Sequence, residues 1–123
     1  TRLCLRVAVQ AVEAWLMADR ESFARFLSIP ESRVPWNPDQ VEDPKAKILE
    51  LARRAKKRFI REEIVPHPES GLRVGPGYTL YLREYVREFW RPVVAAERSE
   101  SLRRAIAALR GLIGERGGVA QTG

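Results

Sequence analysis

Hydrophobic positions along this chain follow two periods. Leu3, Leu5, Val7 and Val9 alternate with Cys4, Arg6 and Ala8, the spacing of a half-buried strand. Beyond that run the period becomes helical. Gln10 to Met17 places Val12, Trp15 and Leu16 on one helix face, and Asp19 caps a second helix carrying Phe23, Phe26 and Leu27, which Pro30 ends. Asp43-Pro44 reads as a helix start, a capping acid followed by proline in the first turn. Ile48, Ala52, Ala55 and Phe59 recur at i, i+4, i+7 and i+11, the stripe of one amphipathic helix. Thr79 opens another helix with Leu82, Val86 and Phe89 inward, interrupted at Pro92. Ser99 caps the last, where Leu102, Ile106, Leu109 and Ile113 form a stripe. The expected fold is mainly α (α+β), with about five helices and one N-terminal edge strand.

Four of the eight prolines lie between Pro30 and Pro44, with Trp36 among them, so that segment reads as an extended loop. A second loop runs from Pro66 to Gly77. No second alternating run exists to pair with the Leu3–Val9 strand, whose backbone groups must find another copy of the chain or another segment. Gly114, Gly117 and Gly118 predict a flexible tail over 114–123, behind a single helical domain over 1–113. The sequence shows no bilayer-length apolar run and no signal peptide, which predicts a cytoplasmic protein.

Composition narrows the chemistry. At 45% hydrophobic residues the chain should fold, and its formal net charge of +6 favours an acidic partner, nucleic acid first; the plainer account is a solvated basic surface. Cys4 is the sole cysteine, excluding an internal disulfide and a thiolate metal cluster. His67 is the sole histidine, excluding His-rich zinc sites and arguing against Ser-His catalysis.

Several residues then stand out. Glu13 is one acid inside an apolar helical pattern, and a buried carboxylate is costly unless paired, protonated or bound to a cation. It is either a satisfied structural acid or part of a site. Arg53, Arg54, Lys56, Lys57, Arg58 and Arg61 crowd one expected helix, repelling one another unless phosphates or acids neutralise them; Glu50, Glu62 and Glu63 are the local counterions. Gly75-Pro76-Gly77-Tyr78-Thr79 lacks the length and lysine of a P-loop, so it reads as a tight turn delivering Tyr78. Ser99-Glu100-Ser101 reads as a helix cap.

In order along the chain, Glu13-Ala14-Trp15-Leu16-Met17-Ala18-Asp19, Asp43-Pro44-Lys45, Gly75-Pro76-Gly77-Tyr78-Thr79, Trp90-Arg91-Pro92 and Ser99-Glu100-Ser101-Leu102 form a set. The set resembles the C-terminal portion of an uncharacterised bacterial family of TOPRIM-like (topoisomerase–primase) proteins. Members are often encoded beside AAA- or ABC-type ATPases, in the manner of OLD-family nuclease systems. The resemblance implies phosphoryl chemistry supported by magnesium. TOPRIM enzymes hold metal with an N-terminal Glu and an Asp-x-Asp pair; this chain has no Asp-x-Asp. Glu13 matches the additional acid that follows a later strand in such nucleases, and Asp19 is a weaker second ligand already explained by capping.

Two functions follow as expectations. The chain is part of a TOPRIM-like metal-dependent nuclease or nucleotidyl-transfer protein, inert alone, with Glu13 and Asp19 as metal ligands. Alternatively it is a non-catalytic basic module that binds nucleic acid or a partner ATPase through Arg53, Arg54, Lys56, Lys57, Arg58 and Arg61.

Overall fold

A computed structural model describes residues 11–122, with side chains through Gly114. The predicted Leu3–Val9 strand lies outside these residues. The described part is mainly helical: α1 over residues 11–18, α2 (Arg20–Leu27), α3 (Pro44–Arg53), α4 (Arg58–Ile64), α5 (Tyr78–Glu88), α6 (Pro92–Arg98) and α7 (Glu100–Thr122). Two single 3-10 turns, Glu31–Arg33 and Pro38–Gln40, punctuate the proline-rich loop. None of the described helices is long and apolar enough to cross a membrane.

Local chemistry sets most boundaries as the sequence suggests. Asp19 accepts from Ser22 N to cap α2, Asp43 accepts from Ala46 N ahead of Pro44, and Ser99 Oγ accepts from Leu102 N. Helix α2 ends at Ser28, left-handed at φ 55°, where Ile29 N reaches back to Ala24 O at 3.0 Å before Pro30. Helix α7 continues through Gly114, Gly117 and Gly118 to Thr122, beyond the point where the glycines alone suggest a tail.

One boundary differs. The Ile48–Phe59 stripe predicts a single helix, but the chain breaks between α3 and α4, with Lys57 extended at ψ 122°. Six cations at i, i+3 and i+4 on one continuous cylinder would repel, which disfavours carrying α3 unbroken into α4. Arg61 turns back to donate to the carbonyls of Ala55 and Lys56, at 3.0 Å for the latter, satisfying two carbonyls of the turn between α3 and α4. The core face of α4 is therefore Ile60 and Ile64, and Phe59 is left 46% exposed. On α5 the inward set is Tyr78, Leu82 and Tyr85; Val86, expected inward, is exposed and Phe89 half-buried.

The main core joins Leu16 and Met17 of α1, Phe23, Phe26 and Leu27 of α2, Ile48 and Leu51 of α3, Ile60 and Ile64 of α4, and Tyr85 of α5. Phe23 meets Tyr85 edge-on, centroids 5.2 Å apart, and the Tyr85 hydroxyl donates to Leu16 O at 2.8 Å. A smaller cluster of Ala18, Ala95 and Leu102, flanked by Trp15 and Trp90, seats α6 and α7. Beyond it the α7 stripe leaves the body: Leu109 and Ile113 are exposed.

Candidate functional site

The motif segments separate into two spatial groups. The first is a clasp that holds α6 and α7 to α1. Trp15 Nε1 donates to Ser101 Oγ at 2.9 Å, and Trp90 Nε1 donates to Trp15 O at 3.0 Å. Asp19, with its side chain fully buried, accepts from Arg91 three times: from Nη2 at 2.7 Å, backbone N at 2.8 Å and Nε at 3.0 Å. Burial alone would raise the Asp19 carboxyl, but the Arg91 and Ser22 hydrogen bonds hold it below the usual carboxylate range. Asp39 bridges Ser99 Oγ at 2.8 Å and Ser101 N at 3.1 Å, fixing the start of α7. Every oxygen of Asp19 is thus committed to structure.

The second group surrounds Glu13. Gly75 and Gly77 donate to Ile64 O and Glu63 O at 2.8 and 2.7 Å, so the Gly-Pro-Gly turn runs hard against the end of α4. A Cβ on Gly75 would stand 2.3 Å from Glu63 O, which explains glycine there. This crossing delivers Tyr78 to the first turn of α5, where its hydroxyl donates to Glu13 Oε2. Burial first, then the Glu13 contact, push the Tyr78 hydroxyl well above its ordinary value, so it stays a donor. Lys45, from the Asp43-Pro44-Lys45 start of α3, places its ammonium 5.8 Å from the Tyr78 ring centroid. Glu13, Lys45, Tyr78 and Thr79 line one open cleft of about 640 Å³, walled by Val12, Leu16, Val74, Leu82 and Val86, with Arg83 beside them. Glu13 is 5% exposed, and its Oε1 is buried without a hydrogen-bond partner among the described residues.

The structure does not bring Glu13 and Asp19 together. Glu13 meets the first residue of α5, whereas Asp19 meets Arg91, three residues past the end of that eleven-residue helix. No group of three or more metal-binding side chains occurs among the described residues. Magnesium takes six oxygens, of which protein carboxylates usually supply one or two and water several, and Glu13 and Asp19 are engaged by separate partners. Glu13 Oε1 is suited to one such bond; Asp19 is not, because Arg91 and the α2 cap occupy it.

The cationic set is split as well. Arg58 pairs with Glu62 at 2.6 Å and Arg61 bonds the Ala55 and Lys56 carbonyls of the α3–α4 turn. Arg53, Arg54, Lys56 and Lys57 are exposed around the α3–α4 turn, with no ion pair to a described acid. Sequence reasoning missed Lys45 and Tyr78 as neighbours of Glu13; the ordered motif set carried that signal. It also missed Arg20, 1% exposed, which donates to Val34 O at 3.0 Å and Glu31 O at 2.9 Å and stacks 3.7 Å from the Trp36 ring.

No protein-family model, curated protein or solved structure matches this chain.

Proposed function

We propose that this chain is part of a TOPRIM-like nucleic-acid phosphoryl-transfer protein, acting in the cytoplasm. In this reading Glu13 supplies one carboxylate oxygen to a magnesium site completed outside the described residues, and the α3–α4 turn grips the nucleic-acid backbone. The single observation that carries it is Glu13 Oε1: a buried carboxylate oxygen with no hydrogen-bond partner among the described residues, at a cleft where three of the motif segments meet. Leaving such a group unsatisfied costs about 1–3 kcal/mol or more, a cost that a bound cation would offset. The metal, when bound, would stabilise charge developing at the scissile phosphate. Of this chain's own residues, Tyr78 fixes the Glu13 carboxylate, while Lys45 and Arg83 bring positive charge to the cleft that suits a phosphate.

Manganese relaxation in the amide NMR spectrum tests this. Mn²⁺ should broaden amides around Glu13 and Tyr78, and Glu13→Gln should abolish the broadening. Equal broadening in the variant, or none in the parent, refutes the metal role. With one suitable carboxylate, the chain alone should cleave no DNA with magnesium or manganese.

The non-catalytic reading is favoured by a separate observation, the four exposed cations of the α3–α4 turn. It requires only sequence-independent phosphate binding, with a dissociation constant of about 10⁻⁴ to 10⁻⁶ M that weakens steeply with salt. Replacing Arg54, Lys56 and Lys57 with alanine should flatten the salt slope equally for unrelated sequences; an unchanged slope rejects the grip.

A further inference from the structure

We propose that the α3–α4 turn selects single-stranded nucleic acid, with the Phe59 ring stacking an unpaired base while the neighbouring cations hold the phosphates. The inference rests on the backbone-grip reading and adds strand preference to it. Its starting point is the misfit between pattern and structure at Phe59. The stripe places this ring in the core, yet the helix break turns it outward and Ile60 and Ile64 take the buried positions. Exposing nearly half of a phenylalanine forfeits burial that the fold could have used.

The ring is exposed but held. Tyr81 of α5 lies against it with centroids 5.7 Å apart and planes at 45°, so the two aromatics form a fixed ledge. Lys57 places its ammonium over the Phe59 ring, 6.0 Å from the centroid, a long contact that a phosphate can draw it from, and Arg53, Arg54 and Lys56 lie around the same turn. The acids of α4 do not oppose a phosphate here. Glu62 is engaged by Arg58, and the Glu63 carboxylate is turned toward Gly77, within 2.7 Å of where a Cβ on that glycine would sit.

A cationic turn around an aromatic face has the two parts that single-strand binding uses: charge that follows the backbone and a ring that accepts any base. A duplex offers the same phosphates but keeps its base faces stacked inside, so Phe59 gains nothing from it. An apolar protein partner would use the ring but has no need of four cations that form no ion pair with a described acid, so charge complementarity favours the nucleic acid. Stacking on one ring is worth about tenfold or more in affinity.

The test is fluorescence anisotropy with labelled oligothymidylate and a duplex of equal length, across a salt series. Phe59→Ala should weaken single-strand binding about tenfold and duplex binding less than about twofold, with the salt slope unchanged. Phe59→Leu keeps the apolar bulk and the local fold but removes the π face, and should lose nearly as much; Phe59→Trp should restore it. A Phe59→Leu variant that binds oligothymidylate like the parent overturns the proposal, as does an equal loss for the duplex. Those results leave the salt-dependent grip standing. A parent that binds neither strand form overturns both the grip and the ledge.

Discussion

Removing Asp19 should open the clasp between α1 and the α6–α7 segment, by an amount the contacts allow to be sized. Asp19→Ala deletes the α2 cap to Ser22 N, worth about 1 kcal/mol. It also deletes the bonds to the backbone and guanidinium of Arg91. Hydrogen bonds to a charged group contribute about 1.5–3 kcal/mol, and the lower end applies because the Arg91 side chain is half exposed and water competes for it. The sum is about 2.5 kcal/mol, read as a fall in urea midpoint without a change in slope. Asp19→Asn keeps the cap and should cost less. Arg91→Ala strands a fully buried carboxylate, so the double variant Asp19→Ala/Arg91→Ala should be no less stable than Arg91→Ala alone. A cost below about 1 kcal/mol for Asp19→Ala, or single effects that simply add, would refute the clasp as drawn.

Acid should loosen the same region. The Arg98 hydrogen bonds hold Glu21 down at about 2 from its ordinary 4.5, and Asp19 is depressed in the same direction. A depressed folded-state value means stability fully present above about pH 4.5 and lost as pH falls toward 2. Glu21→Gln should flatten urea midpoints over that window; an unchanged profile rejects the Arg98 pairing. Gly75→Ala should destabilise by about 2 kcal/mol or more, since its Cβ would meet the backbone of Glu63 and Ile64 within 2.7 Å. Gly111→Ala, on α7 with open space around it, should stabilise by up to about 0.8 kcal/mol, and a loss there would mean that α7 is not helical at this point.

Much of the helical layout was legible because caps and prolines act locally. Asp19, Asp43-Pro44 and Ser99 each mark a helix start that the structure retains. The break between α3 and α4 was hidden because Phe59 continued the apolar stripe, while the cost of stacking six cations carries no periodic signature. Ile60 and Ile64, four residues apart, were the competing signal. The burial of Glu13 was legible from its apolar neighbours. Its partner was not, because Tyr78 lies 65 positions away and arrives only through the close crossing at Gly75. Arg20 drew no reading from the sequence; its burial depends on carbonyls of the proline-rich loop, which no pattern on α2 reveals.

Glu13 is kept either for a ligand or for the fold, and the two roles predict opposite effects of removing it. Glu13→Met/Tyr78→Phe removes the orphaned Oε1 together with the Tyr78 hydroxyl that donates to Oε2, leaving an apolar pair of similar shape. Replacing both partners of a buried polar pair in this way is near neutral or stabilising when the pair does not support the fold. The decisive measurement is the urea midpoint of parent and double variant, each with and without Mn²⁺. The prediction is a variant at least as stable as the parent without metal, and a midpoint that Mn²⁺ raises in the parent alone. A variant that loses more than about 2 kcal/mol, with Mn²⁺ shifting neither protein, would make Glu13–Tyr78 a structural contact and contradict the proposed site.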